Sequence, residues 1–203
     1  MVRDGAGVAD PSPSVLGTIG GLQGSIAVAV DASANRLYVL TFWGPARDRN
    51  KAALAILDGS SQANLATVPG LGWNPGGLAV DPAAHRAYVL DGFSGELSTI
   101  DTTRNQRLHS APSGVNLAGG LALNAATGRL YAIGALPDVV GVLDAGTAKL
   151  LAKLSLPYIL GGLDVNPTTN RVYVATSTGG HLAVIDSGRH GRDPDARLGR
   201  RLG

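Results

Sequence analysis

One Arg-x-Tyr phrase occurs four times along the chain, as NRLYVL (35–40), HRAYVL (85–90), GRLYAI (128–133) and NRVYVA (170–175). Its tyrosines, at positions 38, 88, 131 and 173, follow one another at steps of 50, 43 and 42 residues. The first step is the longest because a seven-residue insertion, around GPARDRN (44–50), separates the second and third segments of the first repeat. The phrase is therefore one part of a repeat of 42 or 43 residues.

Each repeat contains further short apolar segments on both sides of the phrase. A first segment precedes it, as IAVAVD (26–31), GLAVD (77–81), GLALN (120–124) and GLDVN (162–166). A third segment follows it, as LAILD (54–58), LSTID (97–101), VGVLD (140–144) and LAVID (182–186). The first three repeats add a fourth segment, as NLATV (64–68), QRLHS (106–110) and KLLAKL (149–154). Such short runs, rich in Val, Leu and Ile and bounded by turn residues, indicate β-strands.

Four short strands in a repeat of 42 or 43 residues are typical of a β-propeller blade. Several segments are apolar at consecutive positions, as expected for a sheet that is covered on both faces. A β-sandwich does not require this period, and a solenoid usually has shorter repeats. We therefore predict an all-β propeller of four four-stranded antiparallel blades over 14–187, between a flexible segment (1–13) and a disordered Arg-rich tail (188–203).

The fourth repeat lacks a fourth segment, and two arrangements of the chain ends are open. SVLGTI (14–19) resembles an isolated fourth strand and would close the ring by pairing beside 182–185. That closure would also hide an outer strand edge. Alternatively, the four blades form an open arc of a larger propeller, in which case self-association becomes possible.

The pattern G-x-A-V-D-x-x-x-N-R-x-Y-V, followed by V-x-V-I-D, resembles the repeats of YVTN/lactonase-like β-propellers. These are similar in architecture to the NHL and WD40 families but lack the WD dipeptide. The resemblance covers about residues 14–187. It implies a class that includes surface-layer proteins, periplasmic binding proteins and sugar lactonases, and a periplasmic or extracellular location if the chain is a fragment.

Composition narrows the possible functions. There are no cysteines among the 203 residues, which excludes disulfides, thiol catalysis and zinc–thiolate sites. The formal net charge of +2 arises in the last seventeen residues, which carry five Arg and two Asp, so we expect no nucleic-acid face. The N-terminus lacks the apolar region of a signal peptide, and no run approaches the ~18 apolar residues of a membrane span.

The aromatic residues outside the repeated phrase are predicted to gather on one face of the propeller. Loops from strand two to three, and from strand four to the next blade, open on this face, which we call the loop face. Longer loops with aromatic anchors commonly form ligand or partner sites. Its predicted binding residues are Trp43, Arg47, Trp73, Asn74, Phe93, Glu96, Tyr158 and His181. The alternative is that the aromatic side chains only cover the blade ends.

The repeated polar residues have structural explanations. Each phrase Tyr is expected to fill the gap between two blades, with its hydroxyl bonded to the backbone, and the preceding Arg to pair with a turn carboxylate. The Asp and Asn residues that end first and third segments are expected to cap tight turns rather than to bind metal. Glycine pairs begin inner strands, where blades crowd the axis. The four His share no ligand spacing, so no metal and no other cofactor is predicted.

The favoured function is a non-catalytic propeller that binds a protein or small ligand on the loop face. The alternative, implied by the resemblance, is a lactonase-like hydrolase or a fragment of one, with Glu96, Asp91 and His181 as candidate groups. No catalytic motif of that family can be matched residue by residue, so no catalytic residue is assigned. A third hypothesis is a structural piece of a larger surface or redox propeller.

Overall fold

The computed structural model describes residues 15–42, 51–116, 119–135, 138–157 and 160–187. Within these ranges it contains fifteen β-strands and no α-helix, arranged as four antiparallel sheets. Blade 1 consists of β1 (Ser25–Asp31), β2 (Arg36–Phe42), β3 (Ala52–Asp58) and β4 (Asn64–Val68). Blade 2 consists of β5 (Pro75–Asp81), β6 (Arg86–Asp91), β7 (Glu96–Asp101) and β8 (Gln106–Pro112). Blade 3 consists of β9 (Gly120–Asn124), β10 (Arg129–Gly134), β11 (Val139–Asp144) and β12 (Leu150–Ser155). Blade 4 consists of β13 (Leu160–Asn166), β14 (Arg171–Thr176) and β15 (Leu182–Asp186).

The predicted all-β propeller architecture is confirmed. Strands within each blade pair in sequence order, and the inner strands β1, β5, β9 and β13 contact one another in turn. Blade 4 has three strands among the described residues, and residues 15–20 form no strand. Val15 and Leu16 are 87% and 99% exposed. The predicted closing strand is therefore not formed by the described residues. The predicted terminal segments, 1–13 and 188–203, lie outside the described residues.

The residue before the repeated Arg is the last residue of the first turn in each blade, and it has a positive φ. Asn35, His85 and Asn170 have φ values of 50°, 52° and 53°, and the equivalent residue of blade 3 is Gly128. Asn tolerates this left-handed conformation better than most residues and Gly adopts it freely. The phrase thus begins at the last turn residue and continues into the second strand.

The repeated Asp residues cap the turns that follow the first and third strands of the blades, as predicted. Asp31 Oδ1 accepts hydrogen bonds from Ser33 Oγ (2.6 Å) and Ala34 N (3.0 Å). Related contacts are made by Asp58, Asp81, Asp101, Asp144 and Asn166. Asn124 differs, because its Nδ2 donates to Asn170 Oδ1 (3.0 Å) in the next blade.

The arginine prediction is confirmed in part. Arg86 Nη1 lies 3.6 Å from Asp101 Oδ2, within blade 2. Arg36 Nη1 instead donates to the backbone oxygen of Thr102 (2.5 Å), on the next blade. In blade 1 the repeated Arg therefore links the blade to blade 2 through a backbone carbonyl group.

Apolar clusters fill the three spaces between successive blades. Tyr38 packs with Val89 and Ile100 of blade 2. Tyr88 packs with Leu130 of blade 3, and Tyr131 packs with Val172 of blade 4. Each of these phrase tyrosines is thus buried against the following blade, as predicted.

The inner strands crowd the axis at the predicted glycines of blades 2 and 3. A Cβ added to Gly77 would lie 2.5 Å from Leu121 Cβ and 2.8 Å from its backbone nitrogen. A Cβ added to Gly120 would lie 2.9 Å from Leu163 Cδ2. At Gly162 of blade 4, where no further blade follows in the described chain, nothing lies within 4 Å.

The prediction that each phrase hydroxyl bonds to the backbone is wrong for two tyrosines. The hydroxyls of Tyr38 and Tyr131 are buried without a hydrogen-bond partner. They lie within apolar clusters, so the ring packing outweighs the loss of hydration of the hydroxyl.

Replacing Tyr131 by phenylalanine is expected to stabilise the protein by about 1 kcal/mol, because it removes an unsatisfied buried hydroxyl while keeping the ring. Urea denaturation measures the change in the free energy of unfolding. Tyr173→Phe is the control, since this side chain is half-buried and should show almost no change. A loss of stability for Tyr131→Phe would contradict the account.

Candidate functional site

A cleft of about 300 Å³ opens on the loop face at blade 2. It lies between the β4–β5 loop and the β6–β7 loop, with β7 and β8 on its floor and side. Its lining residues are Gly70, Leu71, Gly72, Trp73, Asp91, Phe93, Ser94, Glu96, Ser98 and Arg107.

Two aromatic rings form the apolar part of the cleft. Trp73 and Phe93 meet edge to face, with ring centroids 4.6 Å apart and an interplanar angle of 79°. Trp73 is half-buried, whereas Phe93 is 53% exposed. The pair is thus an aromatic platform that has one well-packed member and one member open to a partner.

Asp91 joins the two loops that carry these rings. Its Oδ1 accepts hydrogen bonds from Asn74 N (3.0 Å) and Phe93 N (3.1 Å). Its Oδ2 accepts from Ser94 Oγ (2.8 Å) and Trp73 N (3.3 Å). Because one buried carboxylate binds the backbone next to both rings, it sets their relative position.

The charge of Asp91 is stabilised by the same contacts. Burial alone raises the pKa of its carboxyl group, but the hydrogen bonds from Ser94, Asn74, Phe93 and Trp73 oppose burial and hold the pKa below its usual value. Asp91 is therefore an ionised acceptor that organises the cleft at neutral pH.

Gly72 allows the carboxylate to approach the β4–β5 loop. Its φ is +106°, and a Cβ at this position would lie 2.5 Å from Asp91 Cγ. Any side chain here would displace Asp91 or strain the backbone.

Polar groups surround the aromatic platform. Arg107 is exposed and its Nη1 donates to the backbone oxygen of Gly70 (2.6 Å), which places a cation at one side. Glu96 is exposed, and Ser98 Oγ is buried beside Ser110 Oγ at 3.1 Å. The cleft therefore combines an apolar platform with both signs of charge.

The structure brings together three of the predicted binding residues, Trp73, Phe93 and Glu96. Asn74 borders the cleft through its backbone, which accepts from Gly92 N (2.6 Å) as well as donating to Asp91. His181 lies in the β14–β15 loop of blade 4, where its backbone bonds to Thr176. Trp43, Arg47 and Tyr158 lie outside the described residues.

Two charged residues at the ends of loops between second and third strands are buried. Lys51 is 8% exposed and Asp91 is 4% exposed. For Asp91 the reason is its position at the end of β6, where it satisfies loop backbone groups.

The alternative catalytic set is not assembled among the described residues. Asp91 and Glu96 both line the cleft, but His181 is carried by blade 4, with blade 3 between. No group of three or more His, Asp or Glu side chains that could hold a metal occurs in the described ranges. No helix in the same ranges has the length and apolar character needed to cross a membrane.

The sequence did not predict that Arg107, Ser94 and Gly72 belong to the cleft. Arg107 stands on a fourth strand, and only the approach of β8 to the β4–β5 loop brings it to the cleft. A usable signal existed for Gly72, because it belongs to the loop segment GLGW (70–73), in which alternating glycines precede a tryptophan.

The fold and this cleft define the class of protein as a β-propeller repeat protein with a loop-face cleft. The chain is 29% identical over 164 residues to the uncharacterized protein YncE of Salmonella typhi, and equally to that of Salmonella typhimurium strain LT2. The match covers 79% of this chain and 44% of those proteins, so the chain spans less than half their length. No family model matches the chain.

Solved structures support the fold alone. Hydrazine synthase of Kuenenia stuttgartiensis matches with a TM-score of 0.66 at 16% identity, over 88% of this chain and 51% of that one. The Cps50 (Swd1) β-propeller domain of Myceliophteria thermophila matches with 0.64 at 15% identity, over 80% and 53%. A chain of a nidogen/laminin complex matches with 0.65 at 14% identity, over 84% and 64%.

Proposed function

We propose that the chain is a non-catalytic binding module that uses the blade 2 cleft to hold an aromatic or apolar group of a protein or small-molecule partner. The observation that carries this proposal is the aromatic platform of Trp73 and Phe93. Asp91 holds the platform in place by hydrogen bonds to its backbone, and the Phe93 ring is exposed to solvent. A rigid, half-exposed aromatic pair resembles the anchor pockets in which binding energy is concentrated.

The partner's chemistry follows from the groups around the platform. Phe93 offers a ring face or edge to an apolar or aromatic group, and Arg107 offers an exposed guanidinium to a carboxylate. A side chain or small molecule that carries an aromatic ring next to a carboxylate would use both. The volume of about 300 Å³ fits one such group rather than a long polymer.

Phe93→Ala is expected to weaken binding of an aromatic carboxylate at least tenfold, because it removes the open half of the platform. Indole-3-acetate, titrated into isotope-labelled protein, serves as the probe, and amide chemical shifts provide the readout. Shifts should be confined to the cleft residues, in 70–74 and 91–98 and at Arg107. Leu108→Ala is the matched control, since Leu108 is an exposed apolar side chain of blade 2 outside the cleft lining.

Two results would contradict the proposal. One is that no amide group of the cleft shifts at millimolar probe concentration. The other is an equal loss of binding in Phe93→Ala and Leu108→Ala, which would indicate a nonspecific apolar contact.

A further inference from the structure

Blades 1 and 4 each present an apolar face that no other blade of the described chain covers. On blade 1 the exposed residues are Ile26, Val28 and Val30, which alternate along β1. On blade 4 they are Leu182 and Val184, which alternate along β15 and lie beside the half-buried Tyr173. We call these the blade 1 end face and the blade 4 end face.

The blade 1 end face has the same pattern of apolar residues as the faces of blades 2, 3 and 4 that pack against the preceding blade. By the repeat, Val28 and Val30 correspond to Leu78 and Val80, to Leu121 and Leu123, and to Leu163 and Val165. Each of those pairs is partly buried against the blade before it. Val28 is 67% exposed. On β2 and β3 the same face of blade 1 is covered, because Val39, Ala55 and Leu57 are buried. The exposed part of the blade 1 end face is therefore the apolar stripe of β1.

The blade 4 end face has the same pattern of apolar residues as the faces of blades 1, 2 and 3 that pack against the following blade. Leu182 corresponds to Leu54, Leu97 and Val140, all of which are fully buried. Val184 corresponds to the buried Ile56 and Val142, and Tyr173 to the interblade tyrosines. Leu182 is 61% exposed. The two end faces of one chain therefore have the residue patterns of the two surfaces that meet between successive blades.

We propose that a second copy of this chain covers these faces, with the blade 4 end face of each copy packed on the blade 1 end face of the other. The contact would join the exposed stripe of β1 to the exposed stripe of β15, at repeat positions that are buried or partly buried between successive blades within one chain. It joins two different surfaces and closes after two copies into a ring of eight blades, at the upper end of the usual propeller range.

The segment 15–20 has a place in this assembly. Among the described residues, β15 is the outermost strand of blade 4, and β14 is its neighbour in the sheet. Residues 15–20 precede β1, at the blade 1 end, with Val15 and Leu16 exposed. In the dimer they lie beside β15 of the partner and pair with it as a fourth strand. The sequence-based prediction of a closing strand then applies between copies rather than within one.

This proposal is independent of ligand binding at the blade 2 cleft, because neither end face includes a cleft residue. It is tested on the full chain by sedimentation velocity. We expect a species of about twice the 20.6 kDa chain mass whose size does not grow further with concentration. A monomer at all concentrations up to about 100 µM, or continued growth into longer assemblies, would overturn it.

Charge substitutions on the two faces identify the geometry. Val28→Asp and Val184→Asp are each expected to yield monomers, because each places a carboxylate in both copies of the interface. Leu108→Asp, an exposed apolar position on neither face, should remain dimeric and reports on nonspecific effects. If only one of the two face variants dissociates the dimer, the interface joins like surfaces and the proposal is wrong.

Mixing provides the sharpest test. A heterodimer of Val28→Asp and Val184→Asp has one interface in which both faces are unaltered, so the mixture should dimerise where neither variant does alone. No recovery on mixing would contradict the head-to-tail arrangement. Hydrogen exchange of 15–20 should be slow in the dimer and fast in Val28→Asp, and fast exchange in both would remove the strand from the proposal.

Discussion

Replacing Tyr131 by alanine is expected to destabilise the protein by about 3–5 kcal/mol, the cost of deleting a large buried aromatic side chain. Tyr131 is fully buried in the cluster between blades 3 and 4, where it packs with Val172 and Val174. Its removal leaves a cavity that the paired strands on either side cannot easily close. Since whole domains have a stability of about 5–15 kcal/mol, this one change removes a large part of the total.

Tyr173→Ala is the matched control for that experiment, since it removes the same side chain from the same strand position in blade 4. Its ring is half-buried and has no following blade in the described chain, so we expect a loss of about 1 kcal/mol or less. Urea denaturation, at a concentration at which the chain sediments as a monomer, measures both. Equal losses would contradict the assignment of the repeated Tyr as an interblade residue.

The contrast between these tyrosines also shows what a sequence repeat can and cannot predict. The period, the turn residues and the apolar segments determine strands, pairing order and interblade packing, because each depends on local pattern and on identical neighbours. The outer faces of blades 1 and 4 are different, because each of these blades lacks one neighbour in the described chain. Val28 and Leu182 fit the repeat as well as their interior counterparts do, yet they are exposed, because exposure depends on which blades are present.

The cleft was predictable to a smaller extent. The non-repeating aromatics Trp73 and Phe93 stand out against the repeat, and the structure brings them into contact. Asp91 does not stand out in the same way, because its role depends on the path of a loop seventeen residues earlier, which reaches it through Asn74. Arg107 likewise reaches Gly70 across a separation of 37 residues. Such contacts depend on loop geometry, which strand periodicity does not specify.

Replacing Asp91 by alanine is expected to abolish binding at the cleft and to destabilise the protein by about 3 kcal/mol. The substitution leaves three backbone N–H groups, those of Trp73, Asn74 and Phe93, and the Ser94 hydroxyl without their acceptor. Donors that lose a charged acceptor in a partly buried site are costly, and the two loops lose their common anchor. Asp91→Asn should be milder, because its amide oxygen still accepts from Asn74 and Phe93.

Glu96→Ala is the control for Asp91→Ala, because Glu96 lines the same cleft but is exposed and carries none of this network. We expect it to change stability by less than about 0.5 kcal/mol. Indole-3-acetate titration and urea denaturation of both variants separate loss of the cleft from loss of the fold. Unchanged probe binding in Asp91→Ala would show that the carboxylate does not organise the platform.

The pH dependence of the cleft gives a second, mutation-free test of Asp91. Its pKa is lower in the folded protein than in the unfolded chain, so its hydrogen bonds contribute full stability above the unfolded value of about 4. That contribution is lost as the pH falls through the lower folded pKa. The amide shifts of Trp73, Asn74 and Phe93 should therefore stay constant from pH 7 to about 5 and move together only in more acidic solution. In Asp91→Asn this joint movement should be absent, since no carboxyl group remains at the centre of the network; its persistence there would assign the titration to another group.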